Sequence, residues 1–140
     1  MTAYDYDGWF AIFHAYQVTQ LTWMWYQEYN DDWVCRDEQA TFADGQRKTI
    51  TQIDEQELYE AIWEISEATR MDLTICANLG VFRLGVFRLD VATRTLCHIA
   101  EVGDWESDHY DSKTGPYTPS IHPLPEDQQP CYTICGAGAA

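Results

Sequence analysis

Apolar positions recur at helical spacing across residues 54–70. At about 100° per residue, Leu58, Ala61, Ile62, Ile65 and Ala68 fall on one side. Glu57, Glu60, Glu64 and Glu67 follow one another at spacings of 3, 4 and 3 and form a row on the other side, with Trp63 beside it. The pattern predicts an amphipathic helix with an acidic outer face. Asp54 and Glu57 have the spacing of a capping box, in which each side chain reaches the other's backbone. No basic residue stands between Asp54 and Glu67, so no i,i+4 pair offsets the row. Like charges so placed cost a few tenths of a kcal/mol per pair, roughly. Such a row is either tolerated as a solvated face or used.

Upstream, residues 1–8 read as a loose acidic leader. Residues 9–29 contain neither Pro nor Gly and read as one long helix. Trp9, Phe10, Phe13, Tyr16, Leu21, Trp23 and Met24 would make its broad apolar face, with Val18, Trp25 and Tyr26 opposite. A helix apolar nearly all round is buried on two sides or leaves an aromatic patch exposed. Trp25 and Tyr26 are therefore expected to lie in a contact, with a homodimer through this helix as one way to cover it. Residues 33–53 predict a hairpin turning at Ala43-Asp44-Gly45, with the adjacent bases Arg47 and Lys48 on its second arm.

After the acidic helix, residues 72–102 read as a β-meander: a strand at 73–76, a second at 81–90, a turn at 91–93 and a third strand at 95–102. The second carries a tandem VFRLG-VFRLD. A repeat of odd length reverses the facing of its residues in a period-two strand, and Gly85 between the copies is where a bulge would restore it. All five prolines lie beyond residue 115, and residues 103–140 read as an irregular tail on the domain, with a short last strand at 131–135. The fold predicted for 1–140 is one α+β domain. It has two helices, the first long and the second acidic, packed on a small, mostly antiparallel sheet.

Charge narrows the function more than the elements do. The formal net charge of −15 over 140 residues is spread along the chain, and the first base is Arg36. Such a molecule repels nucleic acid and anionic membrane and is drawn to basic surfaces. Solubility alone is the plain alternative. No apolar run approaches the roughly 20 residues that span a bilayer. Five cysteines, an odd number, without a secretory signal at the start point to reduced thiols and a soluble cytoplasmic protein.

Motifs for catalysis are missing. Asp104, Glu106, Asp108 and Ser112 match a calcium loop at its early positions, but His109 stands where glycine is needed and Gly115 where the closing glutamate belongs. Cys97, His98, His109, His122, Cys131 and Cys135 could ligate zinc, yet only Cys131 and Cys135 are closely paired. Cys97 and His98 are adjacent on a strand and face opposite ways. Core cysteines and surface histidines are the simpler reading, so no metal and no cofactor are expected. No nucleophile elbow, phosphate loop or dinucleotide turn is present.

What remains is an acidic surface set with aromatics: Glu57, Glu60, Trp63, Glu64 and Glu67 on the helix, and Asp104, Trp105, Glu106 and Asp108 in the tail. Carboxylates at regular spacing can imitate the phosphates of a duplex, while aromatics supply contact area. The expectation is a non-catalytic inhibitor that occupies a basic, nucleic-acid-binding surface on a partner protein. In composition alone the chain resembles anti-CRISPRs and the immunity proteins that neutralise nuclease toxins; no motif carries the likeness. A small enzyme or metal-binding protein using the His and Cys residues of the C-terminal third is the alternative.

Overall fold

In the computed structural model, residues 4–27, 33–79, 85–103 and 119–134 are described. Their order is α1 (Tyr6–Ala15), β1 (Val18–Gln27), β2 (Trp33–Phe42), β3 (Arg47–Thr49), α2 (Gln56–Met71), α3 (Leu73–Leu79), β4 (Gly85–Asp90), β5 (Thr95–Val102), β6 (Ile121–Pro123) and β7 (Cys131–Thr133). The strands form one antiparallel sheet in the order β3-β2-β1-β4-β5-β6, and β7 also pairs with β5. The α+β class holds. No helix among the described residues is long and apolar enough to cross a membrane.

The long N-terminal helix does not form. Helix α1 ends at Ala15, and from Val18 the chain runs as the central strand β1, between β2 and β4. The cause lies in side-chain type. Val18, Thr19 and Thr22 are β-branched, and Leu21, Trp23 and Trp25 alternate at period two. Those three face the helices, while Met24 and Tyr26 belong to a smaller cluster with Val34, Val86 and Val102. Trp25 and Tyr26 are thus both buried within the chain, on opposite faces of the sheet, at 3% and 6% exposure. The crowding that suggested a second copy is relieved inside one chain.

Helix α1 begins inside the stretch read as a leader. Asp5 caps α1 by accepting from the Gly8 amide at 3.1 Å, and Tyr6 is buried. The break after α1 falls at Gln17, whose φ of 61° is left-handed. Its amide donates to His14 O at 3.1 Å, as a helix-ending residue does. A side chain pays roughly 1–2 kcal/mol in that conformation and glycine does not. Gln17→Gly is expected to raise the unfolding free energy by about 0.5–1 kcal/mol after its own chain-entropy cost, read from urea denaturation. A loss of stability would show that the Gln17 side chain holds the corner.

The hairpin forms as read, with β2 and β3 paired at Gln39–Thr49, Ala40–Lys48 and Thr41–Arg47. Residues 73–76 form no strand; they lie in α3 instead. Asp72 ends α2 and begins α3 together, its Oδ1 accepting from the Thr74 amide at 3.0 Å and its Oδ2 from the Tyr6 hydroxyl at 2.8 Å. Ile75 and Leu79, one turn apart, then enter the core. β4 starts at Gly85, and the first repeat copy lies outside the described residues. A Cβ on Gly85 would run into the His98 ring and the Ala100 carbonyl, so the strand can approach β5 only at a glycine. The irregularity in the β4–β5 ladder sits one step further on, between Val86 and Phe87.

Part of the tail is ordered into the sheet. β6 and β7 both line the outer edge of β5, and Ile134 is buried in the main core. Cys97 and Cys131, paired across β5 and β7, form a disulfide, which corrects the expectation of reduced thiols for these two. Cys35 and Cys76 take no part in it.

Candidate functional site: the outer face of the acidic helix

Helix α2 lays Leu58, Ala61, Ile62, Ile65 and Ala68 on the core, as its spacing requires. Its start differs from the sequence reading. Glu55 is the N-cap and makes no side-chain bond there, so the capping box of Asp54 and Glu57 is not formed. Glu57 turns to α1 instead and accepts from the Tyr16 hydroxyl at 3.3 Å. Two turns further on, Glu64 Oε2 accepts from Trp9 Nε1 at 2.7 Å. Two of the four glutamates therefore fasten α1 to α2. A buried indole N–H needs an acceptor, and a carboxylate is a strong one.

The other two bond along α2 itself. Glu60 accepts from Gln56 Nε2 at 3.0 Å along the helix surface. Glu67 lies 3.7 Å from Arg70, the one base on α2, whose guanidinium stacks 4.8 Å from the Trp25 ring centroid. Arg70 is thus directed inward and leaves the outer face negative. Trp63 is 50% exposed between Glu60 and Glu67. Tyr59 joins them at 37% exposure. Sequence reasoning missed it, although its place one turn before Trp63 put it on the same side. Asp5, Glu57, Glu60 and Glu64 also surround a groove of about 190 Å³ between α1 and α2, floored by Trp9, Ile12 and Ala61. The tail residues named with this surface, Asp104, Trp105, Glu106 and Asp108, lie outside the described residues.

The groups considered for catalysis are placed otherwise. Cys97 and Cys131 are joined to each other, and His98 stacks on Phe87 with ring centroids 4.9 Å apart. His122 is exposed and shares a 2.9 Å hydrogen bond with Ser120. His109 and Cys135 lie outside the described residues, among which no three His, Cys, Asp or Glu side chains gather as a metal site. Cys35 is a poor nucleophile at neutral pH, because burial first and the charge of Glu38 second push its thiol far up. Glu38, itself buried on β2, is raised by desolvation. No catalytic pair arises from the described residues of this set. Comparison finds no match to a family model, to a curated protein or to a solved structure.

Proposed function

We propose that this chain is a non-catalytic acidic binding protein whose α2 face occupies a basic, nucleic-acid-binding surface on a partner protein. The observation that carries the reading is the outer face of α2, where Glu60 and Glu67 flank an exposed indole and the helix's one base is drawn away to Trp25. Tyr59 and Trp63 are exposed together on one helix face, and Trp and Tyr are enriched among the residues that anchor interfaces. The −15 charge opposes direct nucleic-acid binding and favours basic partners over long range. A cytoplasmic site of action rests on that partner class alone, since the Cys97–Cys131 disulfide fits an oxidising surrounding better.

The test uses the two glutamates that bond along α2 and spares the two that hold α1. Glu60→Gln with Glu67→Gln keeps shape and helix propensity, so the fold is expected to hold. Immobilised wild-type chain is expected to retain basic nucleic-acid-binding proteins from lysate at low salt and to release them at about 0.5 M NaCl. Duplex DNA should displace them. The double variant is expected to bind the same proteins about three- to tenfold more weakly at low salt, mainly through slower association. Retention at wild-type strength across salt, or retention that DNA does not disturb, would remove this reading.

A further inference from the structure

Tyr59, Glu60, Trp63 and Glu67 make one continuous patch, because helix residues three and four apart have Cβ atoms roughly 5–6 Å from each other. The chain shows twice what an aromatic face beside a carboxylate holds. Arg94 sets its guanidinium carbon 4.6 Å from the Phe10 centroid while its Nη1 is 2.7 Å from Asp7 Oδ1. Arg70 sits 4.8 Å over Trp25 and 3.7 Å from Glu67. In each case one ring and one carboxylate share a guanidinium. Lys48 lies further from its ring, at 5.5 Å over Phe42, with no carboxylate bridged to it among the described residues.

On the outer face of α2 the same parts stand together, and among the described residues no cation lies over Trp63 or Tyr59. Resting on the function proposed above, we infer that this patch takes an arginine side chain from an extended, arginine-bearing segment of the basic partner. The guanidinium stacks on the Trp63 indole and reaches Glu60 on one side and Glu67 on the other. Charge complementarity selects a base. The flat ring between two carboxylates selects arginine over lysine, because a planar guanidinium stacks and donates in its own plane at once. Glu67 can serve both sides, since its contact with Arg70 is long and its side chain is 36% exposed.

Two unstructured peptides of equal length and charge test this, one carrying only arginines and the other only lysines between glycine and serine. Each is titrated into the full chain at low and moderate salt, for wild type, Trp63→Leu, and Glu60→Gln with Glu67→Gln. Circular dichroism checks that each variant folds, which the exposure of Glu60 and Trp63 and the near-isosteric change at Glu67 favour. Wild type is expected to bind the arginine peptide about fivefold more tightly than the lysine peptide. Trp63→Leu should abolish that preference while leaving lysine binding nearly unchanged, and the double glutamine variant should weaken both. Equal binding of the two peptides by wild type, or a preference that survives Trp63→Leu, overturns the arginine assignment alone. Binding of neither peptide at low salt overturns it together with the basic-partner reading.

Discussion

Cys97→Ala together with Cys131→Ala, or reduction of the wild-type chain, is expected to lower the unfolding free energy by about 3–4 kcal/mol. The disulfide closes a loop with a sequence separation of 34, and cross-linking removes that loop's freedom from the unfolded ensemble. The folded side matters as well. β7 has three residues, all paired to β5, and it delivers Ile134 to the core. So short a strand has little hold of its own, and the staple sits where its pairing begins, at Cys97–Cys131. The check is urea unfolding with and without reductant, with Cys35→Ala and Cys76→Ala, at cysteines outside this disulfide, as the internal comparison. A midpoint indifferent to reductant would mean that Cys97 and Cys131 are not joined in the folded chain.

Trp23→Ala is expected to cost about 3–5 kcal/mol, the range for deleting a fully buried aromatic. Trp23 is 1% exposed on β1, between Leu21 and Trp25 and packed in the same cluster as Phe10 and Phe13 of α1. Its neighbour Thr22 points to the other face and is half-buried, so Thr22→Ala should cost less than about 1 kcal/mol. The pair of measurements tests the facing of β1, because Trp23 lies in the main core while Thr22 is on the opposite face. Similar losses at both positions, measured by chemical denaturation, would contradict the placement of β1 at the centre of the sheet.

Which stretches could be read from the chain, and which could not, follows from the range of the forces involved. The α2 stripe, the hairpin at Ala43–Gly45 and strand β5 rest on local signals: a 3.6-residue period, turn residues, and β-branched alternation bounded by turns. Those signals survived folding. The reading of residues 9–29 failed because no Gly or Pro marks the break at Gln17, and aromatics fit a helix stripe and a strand face almost equally well. Residues 73–76 failed for the opposite reason. Leu73, Thr74 and Ile75 have strand-like side chains, but the Asp72 cap and the packing of Ile75 and Leu79 outweigh a propensity worth tenths of a kcal/mol.

For the candidate site, the sequence by itself determined the sign of the surface. The −15 charge and the glutamate row of α2 are facts of composition and period, and they hold whatever the helix packs against. Only the tertiary structure decided how the row divides. Because α1 lies beside α2, Trp9 and Tyr16 claim Glu64 and Glu57, while Glu60 bonds Gln56 and Glu67 pairs with Arg70 on the face that carries Trp63. The same holds for the cysteines, where spacing along the chain gives no partner. Cys97 and Cys131 meet because β7 returns to the edge of β5, a contact between residues distant in sequence that the burial of Ile134 and Tyr132 enforces.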